Sequence, residues 1–210
     1  MSRGALLVLE GCDRAGKSTQ VKKLVQALND LGITTEERKF PDRSTTIGKV
    51  IDEFLTNKKD LPPETMHLLF SANRWECVGY LRKALENGTT LVVDRYAASG
   101  AAYAAVSTKR SLSWCMHPDR GLPAPDFVGF LAIDDEVLTT RGGWANERFE
   151  KQEFQRKVAD NFLKLKDDTW RIIQGNQEVE DVHKVLLDEA LKIIKNVKDQ
   201  PIKELYQFMD

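Results

Sequence analysis

Apolar runs rich in β-branched residues recur along the chain. ALLVLE (5–10), TTLVVD (89–94) and DFVGFLAI (126–133) are nearly unbroken, and TWRIIQG (169–175) is a shorter example. A strand covered on both faces reads as such a continuous run. ITTEERKF (33–40) is more polar and predicts a weaker strand. Between these runs apolar residues recur at helical spacing over 16–31, Pro63–Glu86, 150–168 and 178–197, with Gly32 placed to cap the first helix. Strands alternating with helices predict an α/β fold. The expectation is one domain over residues 1–210, with a five-stranded parallel sheet flanked by helices. Right-handed crossovers then gather the loops after the strands on one edge, where ligands bind. No repeat, low-complexity stretch or linker rich in Pro, Gly or Ser interrupts the pattern.

The turn after the first run carries Gly11-Cys12-Asp13-Arg14-Ala15-Gly16-Lys17-Ser18, a match to G-x-x-x-x-G-K-[ST]. Its glycines let backbone N–H groups face phosphate oxygens, Lys17 reaches the β- and γ-phosphates, and Ser18 can ligate Mg²⁺. Chance matches occur, but this one follows a strand and opens a helix, whose N-terminus favours anions. The fold expected is therefore that of a P-loop NTPase.

Composition narrows the class. With 31 basic and 32 acidic residues the net charge is -1, which gives no sign of a nucleic-acid coat or a membrane-surface patch. Cys12, Cys77 and Cys115 are too few and too widely spaced for a disulfide framework or a CxxC zinc site, so a reducing compartment is expected. The opening apolar stretch is too short to span a membrane and has no cleavage pattern. A cytoplasmic protein, with room for a nuclear pool, is the expectation.

Two P-loop classes compete. A GTPase switch needs DxxG and then NKxD. Asp126-Phe127-Val128-Gly129 and Asn57-Lys58-Lys59-Asp60 occur in reverse order, and the second reads as a solvated helix end. A kinase for a phosphorylated acceptor needs further arginines. Arg43 and Arg95 follow strands, and Arg74 lies four residues after Phe70 on one helical face, where a ring and a guanidinium can meet a base. Asp94 closes the third strand, positioned like a Walker-B carboxylate or as a helix cap.

Taken together, EGCDRAGKSTQ, FPDRST.IGK, HLLFSANRWE, TLVVDRYAASG, GLPAPD and ERFE...FQ resemble the thymidylate kinase family in its eukaryotic form, in that order and as far as Gln155. The resemblance implies a fold like that of nucleoside monophosphate kinases. The activity implied is ATP-dependent conversion of dTMP to dTDP with Mg²⁺, within dTTP biosynthesis. The alternative is another deoxynucleoside monophosphate kinase with a broader acceptor range. Lys17, Arg14, Asp94 and Arg95 are implied as the catalytic group, with Ser18 and Asp94 toward the metal. Gly11, Arg14, Ala15, Gly16, Lys17, Ser18 and Thr19 would hold ATP phosphates, and Arg141 would lie near the adenine. Asp13 would take the sugar 3′-hydroxyl of dTMP, and Arg43 and Arg95 its phosphate. Phe70 would stack on thymine and Arg74 bond its edge. Phe40, Ser99, Gly100, Tyr103, Phe149 and Gln155 would complete the acceptor pocket, with the Tyr103 ring crowding out a ribose 2′-hydroxyl. A lid is implied at about 136–150.

Arg14 lies in the P-loop, as in the eukaryotic type. Phe149 stands where the family often has tyrosine, and Cys12 where it often has valine. AASGAAYAAV is rich in small residues, which suits close helix packing or a roomier pocket. The family is typically homodimeric, and the helix around 66–85 is a candidate interface. The resemblance implies only small-molecule substrates besides a second copy. His67, His117 and His183 show no metal spacing and are read as surface or packing residues.

Overall fold

The computed structural model describes residues 2–134, 148–149 and 152–207. Five strands form one parallel sheet in the order β2-β3-β1-β4-β5: β1 is Leu6–Glu10, β2 Thr35–Lys39, β3 Thr90–Asp94, β4 Phe127–Ala132 and β5 Trp170–Gln174. All five predicted strands are present. β1 and β3 are buried along their whole length, which is why they read as unbroken apolar runs. β2 lies at the sheet edge and buries only its first residue fully, which accounts for its polar sequence.

Period-two alternation sends neighbours in β1 to opposite faces. Leu7 and Leu9 meet α1 (Lys17–Asp30) and α7 (Val179–Val197) through Val21, Leu24, Leu28, Val182 and Leu186. Leu6 and Val8 meet α3 (Pro63–Glu86) through Leu81 and Leu85. A third cluster joins Phe130 of β4 to Val158 and Phe162 of α6 (Gln152–Leu165) and Ala102 of α4 (Ala97–Thr108). The small residues of α4 allow close approach here: Asn161 on α6 donates to the Ala102 carbonyl at 3.1 Å.

Among the described residues two helical pieces go beyond the predicted pattern, α2 (Thr46–Leu55) and α5 (Leu112–Met116), the latter followed by a 3₁₀ turn at His117–Asp119. The helix that Asp94 was expected to cap is α4, whose N-cap is Tyr96. The two GTPase-like strings have structural explanations. Asp126 forms a bidentate pair with Arg3 at 2.6 and 2.8 Å and accepts from the Leu6 amide, so it ties the start of β1 to β4. Asn57 to Asp60 lie in the turn after α2.

The loop after β2 is held by α2 and α3. Thr45 caps α2, its hydroxyl accepting from the Gly48 amide at 2.9 Å. Asn73, buried on α3, accepts from the Asp42 amide and donates to the Asp42 carbonyl and to Thr45. Gly48 presses on the same turn, where a β-carbon would stand 1.8 Å from the Asp42 carbonyl oxygen. Gly48→Ala is therefore expected to cost about 1–3 kcal/mol, as overpacking does, measured as a lowered urea midpoint at unchanged slope. Parent-like stability would show that the turn shifts freely.

Candidate active site

The P-loop leaves β1 and turns through Arg14 and Gly16, both in left-handed backbone (φ 66 and 88), before α1 begins at Lys17. Such conformations suit glycine; at Arg14 a non-glycine residue holds one, a form of local strain that concentrates at functional sites. Lys17 is buried and its Nζ donates to the Cys12 carbonyl at 2.7 Å. Burial pushes its pKa down to about 8, the Arg95 cation adds to this, and Asp94, Asp13 and Glu10 act against it. Ser18 and Thr19 open to solvent, and the Ser18 hydroxyl donates to Asp94, the buried last residue of β3.

Arg95 follows immediately, again left-handed (φ 66). Its guanidinium bonds three segments: Asp13 at 2.5 Å, the Gly11 carbonyl at 3.0 Å and the Ser99 hydroxyl at 3.2 Å. Its carbon sits 5.3 Å from the Tyr103 ring centroid. Asp13 also accepts from Gln155 Nε2 at 2.6 Å, while its amide donates to Gln155 Oε1 at 3.0 Å. Burial raises the Asp13 pKa, but the Arg95 and Lys17 cations with the Tyr103 and Gln155 hydrogen bonds outweigh it, so the carboxyl sits below its ordinary range. Tyr103 donates to Gln155 Oε1 at 3.2 Å. Gln155 thus fastens α6 to both the P-loop and α4.

The acceptor-side candidates lie across the same cleft, which has a volume of about 660 Å³. Phe40, 5.6 Å from the Tyr96 ring, forms part of its wall. Phe70 and Arg74 both face it from α3, as their spacing predicts. Arg74 is largely committed to Asp119, through Nε at 3.0 Å and Nη2 at 2.7 Å. Arg43 lines the cleft and pairs with Asp52 at 2.8 Å. Ser99, Gly100 and Tyr103 line it from α4. Phe149 stacks on Phe154 at 5.1 Å and meets Tyr103 edge-on at 5.9 Å. Gly11 and Ala15 shape the P-loop without lining the cleft, and Gln155 supports it from behind Asp13. Arg141 and most of the lid expected at 136–150 lie outside the described residues.

Four residues of the site escaped sequence reasoning. Glu10 is fully buried at the end of β1 and accepts from the Tyr96 and Ser99 amides at 2.9 and 3.0 Å and from the Ser99 hydroxyl at 2.5 Å. A charged residue closing an apolar run was the available signal. Asp119 had none, because its partner is distant in sequence. Arg148 lines the cleft, stacks over Phe54 at 4.2 Å and pairs with Asp60 at 2.5 Å. His67, expected as a packing or surface residue, is buried 5.3 Å from the Trp114 ring and also borders the cleft; burial and then the Arg74 cation lower its pKa.

Burial raises the Glu10 pKa above its ordinary value near 4.5, against the hydrogen bonds from Ser99 and the charge of Arg95. The folded chain then holds this proton more tightly than the unfolded chain. Glu10 therefore subtracts stability as pH climbs from about 4.5 toward its raised folded value. Glu10→Gln retains an oxygen for both amides. The stability of the parent relative to this variant is expected to fall as pH rises from 4.5, measured by urea unfolding between pH 4 and 7. A difference independent of pH would sink this reading.

A sequence model described as thymidylate kinase matches residues 9–186. A thymidylate kinase of Danio rerio is 49% identical over 208 residues, covering 98% of each chain. One from Homo sapiens is 44% identical over 211 residues, again covering 98% of both. A solved thymidylate kinase structure from Candida albicans superposes with a TM-score of 0.87 at 38% identity, covering 97% of this chain and 99% of that one. This similarity covers nearly the whole chain, and by it the chain belongs to the thymidylate kinase family.

Proposed function

We propose that this chain transfers the γ-phosphoryl group of ATP to dTMP, giving dTDP and ADP. One observation carries the reading: the P-loop and an aromatic-arginine pocket open into the same cleft and are joined there by the Asp13–Arg95 pair. A motor or switch needs the first of these; only an enzyme with a phosphorylated acceptor needs both.

In this mechanism Lys17 and the amides of the P-loop hold the β- and γ-phosphates, and Thr19 supports them at the start of α1. Arg95 and Arg43 take the acceptor phosphate, Phe70 stacks on thymine, and the nitrogen of Arg74 not engaged by Asp119 meets the base edge. Asp13 receives the sugar 3′-hydroxyl, and Tyr103 fills the space a ribose 2′-hydroxyl would need. Arg14 meets the phosphoryl group between donor and acceptor. The acceptor phosphate, with a second pKa of about 6, is largely ionised at neutral pH, so no general base is required. Placement in line and neutralisation of charge do the work.

Ser18 and Asp94 supply a hydroxyl and a carboxylate oxygen side by side at the mouth of the P-loop, a donor set that fits Mg²⁺. Bound there with the phosphates, the ion would neutralise negative charge as the phosphoryl group moves. We further read the chain as cytoplasmic and homodimeric. Among the described residues no helix is long and apolar enough to cross a membrane. α3 leaves Leu68 and Trp75, seven residues apart on one face, exposed, a face suited to a second copy.

Three measurements test the assignment. In a coupled assay of ADP release, dTMP is expected to be turned over far faster than UMP or AMP, with little hydrolysis when no acceptor is supplied; rapid acceptor-independent hydrolysis would favour a switch or motor. Arg14→Ala is expected to lower kcat by about 10³-fold. Arg95→Ala is expected chiefly to raise the KM for dTMP. An ordinary dTMP KM in the second variant would remove Arg95 from the acceptor site.

A further inference from the structure

The Arg74–Asp119 pair extends away from the cleft into a structure of its own. The two side chains are 3% and 0% exposed, and both carboxylate oxygens are engaged by the guanidinium. Ser71 adds a hydrogen bond to Asp119 at 2.7 Å and another to the Pro118 carbonyl, which Trp75 also reaches at 2.7 Å. On its other side the guanidinium lies against α4, where a β-carbon at Gly100 would be 2.5 Å from Nη2. Two parallel charge-assisted bonds fix the plane of an arginine as one bond cannot. Nη1 is left as the nitrogen not taken by Asp119, on a residue that lines the cleft.

Asp119 itself sits in a single 3₁₀ turn, which has little strength of its own. The segment 202–207 supplies it. The Gly121 amide donates to the Leu205 carbonyl at 3.0 Å, the Leu205 amide to Leu122 at 2.8 Å and the Ala124 amide to Lys203 at 2.8 Å. Pro123 and Glu204 form an antiparallel bridge. Arg82 on α3 joins both segments, donating to the Gly121 carbonyl at 2.9 Å and to Glu204 at 2.8 Å. Leu205 packs against the cluster that contains Leu122, fully buried in the body of the protein.

We propose that Asp119 is the positioning residue of the acceptor-base subsite, and that the 202–207 segment acts on base selection by strapping the Asp119 turn in place. This rests on the proposed reading of Arg74 as the group that meets the acceptor base. Asp119 is sealed from the cleft and acts only through Arg74. It therefore governs how well the base is held and which base is accepted, with little effect on the phosphoryl step. An arginine held in one plane donates to the C4 oxygen of thymine and finds no acceptor on the C4 amino group of cytosine.

The test compares the full chain with Asp119→Asn and Leu205→Ala, varying dTMP and ATP separately, measuring dCMP turnover and recording Tm. Asp119→Asn is expected to raise the dTMP KM about tenfold and to narrow the preference for dTMP over dCMP by a similar factor, with the ATP KM within about twofold and kcat within about threefold. Leu205→Ala is expected to move the same two quantities in the same direction, by about threefold. A fall in Tm accompanies both and does not distinguish a positioning role from a purely structural one. Unchanged dTMP KM and dCMP discrimination, or equal rises in both KM values, would overturn the proposal. If Asp119→Asn does not fold, Leu205→Ala decides by the same two readouts. A parent chain that turns over dTMP while the variants keep its selectivity overturns the positioning role alone. A parent chain that does not turn over dTMP overturns the reaction as well.

Discussion

The cleft must hold several cations close together, and their mutual repulsion is the constraint around which the rest is built. Burial weakens the charge of Lys17, and the nearby Arg95 cation weakens it further. Glu10, Asp13 and Asp94 answer them from three directions. Burial also works against the Arg95 cation, but Tyr103, Asp13, Glu10 and Asp94 more than offset that. The carboxylates lie at the carboxyl end of β1, in the P-loop and at the end of β3, so the sheet edge itself sets the spacing of opposite charges. A buried charge is tolerated when it is paired and hydrogen-bonded, and here each pairing also locates a functional group.

α3 organises the proposed acceptor side in the same manner. Within SANRWE, successive residues bind different loops: Ser71 and Arg74 hold the turn at Asp119, Asn73 holds the turn at Asp42, and Trp75 reaches Pro118. The segment looks from sequence like part of an amphipathic helix with one functional arginine. In space it is a clamp between two irregular loops, with Phe70 and Arg74 projecting into the cleft. Irregular loops carry backbone groups that helices and strands would satisfy internally, and buried side chains such as Asn73 take over that role.

What the sequence disclosed follows from these causes. β1, β3 and β4 were legible because burial on both faces leaves nearly unbroken apolar runs, whereas the edge strands β2 and β5 carry exposed residues and gave a weaker or shorter signal. α4 was legible only as a segment open to capping by Asp94 and to close packing, without bounds, since AASGAAYAAV is small and apolar on nearly every side and carries no stripe; its N-cap is Tyr96. α2 is short, and its cap depends on Thr45 meeting a turn ordered by α3. In the site, residues at strand ends and in the P-loop were found because topology gathers them at one edge. Glu10 with Ser99, and Arg74 with Asp119, were not found as pairs. Their partners are 89 and 45 positions apart, and nothing local encodes such contacts.

Asp13 and Arg14 bring these threads together within one turn. Asp13 points toward Arg95 and Gln155, the proposed acceptor side, while Arg14 adopts a left-handed backbone that most side chains avoid. Glycine would satisfy that conformation without strain, so the arginine at this place bears a local cost that has to be met by the surrounding loop. The pairing has a geometric consequence. In the proposed reaction the groups for the two nucleotides are separated by adjacent residues of a single rigid loop. The gap between attacking and transferred phosphate is then set by the P-loop turn and by the Arg95 bridge to it, and any lid can exclude water without also having to fix that distance.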